Sequence, residues 1–121
     1  MLVEDEPLLR DTTAEFLRLS GYSVIEATDA AEAIRAFASG APVDVVFSDV
    51  HLPGMMDGLG LARWVHRHRR GIPVMLTSGY GDTTRAAAVV GEESFATKPY
   101  RQNEVVHRIR SLLDRARNRV P

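Results

Sequence analysis

Four short stretches carry side chains that could do chemistry together: Glu4-Asp5, Asp49, Thr77-Ser78 and Lys98. Each closes a short apolar run, namely Met1-Leu2-Val3, Val43 to Phe47, Ile72 to Leu76, and Ser94 to Thr97. Gathered at one place, the carboxylates would repel: two unit charges about 4 Å apart at an effective dielectric near 20 interact by roughly 4 kcal/mol. One lysine does not balance them. Hard carboxylate oxygens with no His or Cys ligand set beside them favour Mg²⁺ or Mn²⁺. A carboxylate beside such a metal can attack phosphorus and give an aspartyl phosphate. The metal and the lysine then neutralise charge on the transferring group, and a hydroxyl holds one of its oxygens. Taken alone, Asp49 reads as a turn residue or helix N-cap, so the chemistry depends on elements that deliver all four stretches to one edge.

The pattern along the chain supplies such elements. Met1-Leu2-Val3 reads as a strand, short for a central one and so expected to begin earlier than the sequence does. Pro7 suits a first helical turn, and a helix follows from Leu8 to Ser20, with Leu9, Phe16 and Leu17, then Leu8, Thr12 and Leu19, at helical spacing. Tyr22 to Ala27 reads as the second strand. Asp29 is a good N-cap for a helix over Ala30 to Ser39, with Ala33, Ile34 and Phe37 inward. The run ending at Asp49 is the third strand, Leu59 to Arg70 the third helix, with Leu61, Ala62 and Val65 inward, and Ile72 to Ser78 the fourth strand. A short Ala-rich helix is expected over Thr83 to Val90, a fifth strand over Ser94 to Thr97, and a last helix over Gln102 to Arg117 with Val105, Val106, Ile109, Leu112 and Leu113 as its apolar stripe.

Strict strand–helix alternation gives a parallel sheet covered by helices on both faces, and right-handed crossovers leave few ways to wind it. The expected fold is α/β, a flavodoxin-like (βα)₅ sheet in the order 2-1-3-4-5. Its functional crevice lies beyond the carboxyl ends of the strands, where the winding reverses between strands 1 and 3. That rule sets Glu4 and Asp5 beside Asp49. Neighbours on a strand point oppositely, so only one of Thr77 and Ser78 can face the site.

Composition narrows the alternatives. At 121 residues the chain is read as a single domain over 1–121, and without cysteine it has neither disulfides nor thiolate metal sites. No signal-like segment or membrane-length apolar run is present in this sequence, so a cytoplasmic, non-membrane domain is the expectation. The formal net charge of −1 argues against nucleic-acid binding by this domain. Positive charge collects at Arg63 to Arg70 and Arg101 to Arg119, yet Lys98 is the only lysine.

Together, Val3-Glu4-Asp5-Glu6-Pro7, Asp49-Val50-His51-Leu52-Pro53-Gly54 with Met56-Asp57-Gly58, Pro73 to Gly79, and Lys98-Pro99-Tyr100 resemble the response-regulator receiver domain, the phosphoacceptor module of two-component signalling. The likeness runs over essentially the whole length. It implies a switch that receives a phosphoryl group on Asp49 from a sensor histidine kinase or histidine phosphotransfer protein, with Mg²⁺ or Mn²⁺, and changes conformation to control a partner or output domain. It implies no enzyme beyond self-catalysed phosphorylation and dephosphorylation. By the same likeness Glu4, Asp5, Asp49 and the His51 backbone carbonyl hold the metal, with Asp5 the more direct ligand of the first two. Counting five residues on from Pro73 makes Ser78 the hydroxyl position. Lys98 is the cation, the Lys98-Pro99 bond is cis, and Phe95 is the aromatic switch position together with Ser78. His51 and Tyr80, two residues beyond Asp49 and Ser78, are expected to modulate phosphoryl lifetime. The fourth helix, fifth strand and fifth helix form a possible homodimer face.

Two departures stand out. The spacing from Asp49 to Asp57-Gly58 is one residue longer than the family's usual one, as though Met55 or Met56 were inserted, and Phe95 lacks the hydroxyl of the tyrosine often found at its position. His66 and His68 are two apart on a helix and share no face, and His107 reads as solvated surface. A phosphatase of the haloacid dehalogenase type would need Asp-x-Asp after the first strand. A flavodoxin-like nucleotide binder would need a Gly-rich phosphate loop where Glu4-Asp5-Glu6 stands, and an interaction domain that is never phosphorylated would have no need of the full acid, hydroxyl and lysine set.

Overall fold

The computed structural model describes residues 1–79 and 81–118. Its elements are β1 (Leu2–Val3), α1 (Pro7–Leu19), β2 (Glu26–Ala27), α2 (Ala30–Ala38), β3 (Val46–Asp49), α3 (Gly58–His68), β4 (Val74–Ser78), α4 (Thr83–Val90), a 3₁₀ turn (Glu92–Ser94), β5 (Phe95–Thr97) and α5 (Gln102–Arg117). The five strands are parallel and ordered β2-β1-β3-β4-β5, the order expected from the alternation. Among the described residues no helix is long and apolar enough to cross a membrane.

Side-chain alternation along the strands divides the core in two. Val3, Val46, Leu76 and Phe95 pack with Ala30, Ala33 and Phe37 of α2, Leu61, Ala62 and Val65 of α3 and Ala86 of α4. Leu2, Phe47, Met75 and Ala96 face the other way, against Ala14 and Leu17 of α1 and Val105, Ile109 and Leu112 of α5. Asp49 follows the Phe47 face and Ser78 follows the Leu76 face. β3 therefore sends its terminal acid toward the α1 and α5 side, while β4 sends its terminal hydroxyl toward α3 and α4.

Local signals explain where the helices begin. Asp29 and Asp57 accept hydrogen bonds of 2.8 Å from the backbone N–H groups of Glu32 and Gly60, each three residues on. Such N-caps contribute about 1 kcal/mol each. Pro7 opens α1, where its missing N–H costs no hydrogen bond.

Three expectations are corrected. The strand read over Tyr22 to Ala27 contracts to Glu26–Ala27, because this edge strand pairs only with β1, itself two residues long. On α1, Leu8 and Leu19 are 73% and 80% exposed and Thr12 is also exposed, while Thr13, Ala14 and Leu17 are buried. Small Ala14 lets the helix approach the sheet, and the Thr13 hydroxyl accepts from Gln102 Nε2 at 3.1 Å, so a polar position is tolerated inside. The fifth strand, expected over Ser94 to Thr97, begins at Phe95, because Ser94 closes a 3₁₀ turn at Glu92–Ser94 that leads directly into it.

The extra residue between Gly54 and Asp57 is absorbed in the loop. Gly54 turns with φ +96°, Met55 is fully exposed, and Met56 folds back against the core. The third helix starts at Gly58, one residue before the expected Leu59, and ends at His68, two short of Arg70.

Candidate functional site

β3 ends at Asp49, which is 6% exposed. Its two oxygens are differently engaged: Oδ1 accepts the His51 backbone N–H at 3.0 Å, and Oδ2 accepts Lys98 Nζ at 2.6 Å. Lys98 comes from the end of β5, where its own N–H donates to the Ser78 carbonyl at 2.8 Å and extends the β4–β5 ladder by one step. Its ammonium also lies 3.5 Å from Glu4 Oε1. Glu4, just past β1 and buried, has Oε2 fixed by the Glu6 N–H at 3.1 Å. The Lys98-Pro99 bond is cis.

The electrostatics follow from this packing. Burial pushes the Glu4 carboxyl above its ordinary value, and the Asp49 charge adds to that, against the Glu6 N–H and Lys98. Burial works against the Lys98 charge, yet the hydrogen bond and charge of Asp49, with Glu4 behind them, outweigh it and raise the ammonium above its ordinary value. The lysine is thus held charged against Asp49.

Glu4, Asp5 and Asp49 each offer a carboxylate oxygen, and these oxygens lie within 4.8 Å of one another. Asp5 is exposed and the other two are buried, so the group opens to solvent on one side. An all-oxygen donor set with room for water fits Mg²⁺ or Mn²⁺ and not a soft metal.

Gly58 makes the corner possible. A Cβ at this residue would collide with the Asp49 carbonyl oxygen and lie 2.8 Å from the Val50 Cα, and the Gly58 N–H donates to the Val50 carbonyl at 2.7 Å. The start of α3 is therefore seated on the backbone of Asp49 and Val50.

Ser78 does not touch Asp49 here. Its hydroxyl donates to Asp82 Oδ2 at 2.7 Å. The same oxygen lies 2.6 Å from His51 Nε2, and Asp82 Oδ1 lies 3.4 Å from Arg85 Nη1. Asp82 is a residue of this site that no motif in the sequence singles out. It stands just before α4 and its side chain makes no capping bond there, which leaves the carboxylate free for Ser78. Thr77 is the register partner of Asp49; its hydroxyl is buried and has no hydrogen-bond partner among the described residues.

Phe95 is buried at 5% exposure among the α3 and α4 side of the core. Tyr80 lies outside the described residues. The remaining histidines stay apart from the acids: His68 stacks on Trp64 at 4.7 Å between centroids, and His66 and His107 are exposed.

Residues 1–110 match the family described as the response regulator receiver domain. The chain belongs to the response-regulator receiver family. This receiver domain is 33% identical over 119 residues to the aerobic respiration control protein ArcA of Escherichia coli, covering 98% of the chain and 49% of that protein. It is 35% identical over 117 residues to the probable transcriptional regulatory protein TcrX of Mycobacterium tuberculosis, covering 95% of the chain and 49% of that protein. The chain thus spans about half the length of the curated relatives it matches. Among solved structures, the receiver domain of NtrX from Brucella abortus superposes with a TM-score of 0.84 at 29% identity, covering 93% of this chain and 96% of that one.

Proposed function

We propose that this receiver domain is a phosphoacceptor switch that takes a phosphoryl group on Asp49. The observation that carries the reading is the 2.6 Å contact of Lys98 Nζ with Asp49 Oδ2, inside a trio of carboxylates whose oxygens lie within 4.8 Å. An Asp49 oxygen forms the new P–O bond while the P–N bond of a phosphohistidine breaks, and the donor imidazole leaves with that electron pair. Lys98 stays beside the transferring group and offsets its charge. Glu4, Asp5, Asp49 and the His51 carbonyl are the residues that would hold Mg²⁺ or Mn²⁺. The metal, when bound, screens the acids from one another and from the incoming phosphoryl oxygens.

The donor is a sensor histidine kinase or a histidine phosphotransfer protein. Phosphoryl charge held by Lys98 and Ser78 shifts an existing equilibrium in which α4, β5 and the buried Phe95 rearrange. The face of α4, β5 and α5 then serves a partner or a second copy, and the domain works in the cytoplasm without binding nucleic acid or membrane itself. His51 and Tyr80 set how long the phosphoryl group lasts. Turnover is limited to the domain's own phosphorylation and dephosphorylation, with no phosphomonoester hydrolysis in a steady-state assay.

Incubation with a small phosphodonor and Mg²⁺ should add one acid-stable, base-labile phosphoryl group. No mass gain, or a gain that survives Asp49→Ala, would sink the assignment.

A further inference from the structure

A second carboxylate lies at the same sheet edge, and it holds the hydroxyl that the phosphoryl group would need. Ser78 has one hydroxyl proton, and it is directed at Asp82 Oδ2, 2.7 Å away. Donation to Asp82 and donation to a phosphoryl oxygen on Asp49 are therefore mutually exclusive. Asp82 is buried, and its carboxyl is held below its ordinary value by the Ser78 hydroxyl first and by His51 next. It is an acceptor only, so the 2.6 Å contact with His51 Nε2 is a donation from the ring.

His51 joins the two carboxylates. Its backbone N–H donates to Asp49 Oδ1 at 3.0 Å while its ring donates to Asp82 Oδ2. Arg85, one turn into α4, reaches Asp82 Oδ1 at 3.4 Å and Asp57 Oδ2 at 4.0 Å, and Asp57 caps α3. The contacts run from the acceptor, through His51 and Asp82, to the first turns of α3 and α4.

We propose that Asp82 is a positioning residue which, braced by His51, withholds the Ser78 hydroxyl from Asp49, so that phosphoryl capture must first break the Ser78–Asp82 bond. The proposal rests on Asp49 being the phosphoacceptor. Asp82 touches neither phosphorus nor metal; it acts through Ser78. Once released, its carboxylate lies at the start of α4, where it can accept the unbonded N–H groups of that helix. The exchange links phosphorylation to the position of α4.

The test is a double-substitution cycle on the whole domain, with phosphorylation by a small phosphodonor and Mg²⁺ followed by intact mass. A hydrogen bond to a charged group has a net value that corresponds to roughly a tenfold rate effect or more, so Asp82→Ala should load about tenfold faster than the parent. The same change in a Ser78→Ala background should have no effect, which separates a role through Ser78 from general loosening of α4. Asp82→Asn, which keeps an accepting oxygen without the charge, should fall between, and it carries the cycle if Asp82→Ala does not fold. As a second readout, the His51 ring ¹⁵N resonances of the parent should move when beryllofluoride occupies the acceptor, and in Asp82→Ala they should lie near the moved position from the outset. A parent that loads while Asp82→Ala loads no faster, or an acceleration that persists without the Ser78 hydroxyl, overturns the role of Asp82 alone. A parent that takes up no phosphoryl group overturns both this role and the acceptor assignment.

Discussion

Asp49 and Asp82 are both buried carboxylates at the carboxyl edge of the sheet, each with a short contact to a basic group, yet their surroundings differ. Asp49 has one oxygen on a backbone N–H and the other on the ammonium of Lys98, with Glu4 and Asp5 crowding it. Asp82 has both a hydroxyl and an imidazole on one oxygen and a distant guanidinium on the other. The first is surrounded by excess negative charge that a metal and a phosphoryl group would resolve together. The second is already satisfied. Both carboxylates have their oxygens hydrogen-bonded; what separates them is that Glu4 and Asp5 crowd Asp49 with like charge, which favours a bound cation, whereas the neighbours of Asp82 are donors.

The sharpest way to break this comparison is to remove the groups that single out Asp49. Asp49→Asn should abolish phosphoryl uptake, and Lys98→Ala should slow loading by about 10²–10³, the usual effect of deleting one preorganised electrostatic group. The rate of mass gain with a small phosphodonor measures both. A slowing of equal size in Asp82→Asn would erase the distinction between the two acids.

Next in size is the backbone seat of Asp49. Gly58→Ala should destabilise the domain by at least about 1–3 kcal/mol, because the new methyl group meets the Asp49 carbonyl and the Val50 Cα and neither can yield as a side chain can. At Gly60 an added Cβ meets side-chain atoms alone, the Met56 Cγ at 2.8 Å and Asp57 Oδ1 at 3.5 Å. Gly60→Ala should be close to neutral, since the gain in helix propensity of about 1 kcal/mol offsets the shift of Met56. Urea denaturation of the two variants makes the comparison directly.

Metal should stabilise one corner and leave the other unchanged. Mg²⁺ at about 100 times its dissociation constant should stabilise the fold by about 2.7 kcal/mol, read as a rise in melting temperature. The rise should be lost in Asp5→Ala and kept in Asp82→Asn.

The smallest effect is the pH dependence of the Asp82 contacts. The Asp82 carboxyl is held below its ordinary value of 3.8, so the folded state favours the ionised form. Its contribution to stability is complete above pH 3.8 and is lost as pH falls through the lower, folded value. Melting temperatures of the parent and Asp82→Asn should therefore converge in acid below pH 3.8 and separate above it.

Much of the fold was legible in the sequence. The alternation of short β-branched runs with helical periods led to the five-stranded order, and the bounds of α4 and α5 agree with those read from apolar spacing. The acid and lysine positions were legible because each closes a strand, and parallel strands deliver their ends to one edge. The inward face of α1 was not, because Leu8 and Leu19 are as apolar as Leu17, and only contact with the sheet and with Gln102 selects Thr13, Ala14 and Leu17. The extent of β2 was set by the length of β1, which is a property of the pair.

By itself, then, the sequence determined the class of sheet, the edge at which chemistry occurs and the residue types gathered there, since these follow from periodicity and chain connection. Tertiary structure decided which partner each side chain takes. Ser78 turns to Asp82, from the loop before α4, and Asp49 to Lys98, from the end of β5, because the fold brings those two segments to the two strand ends. That choice is made by distances between segments far apart in the chain, and no local pattern around Ser78 or Asp82 contains it.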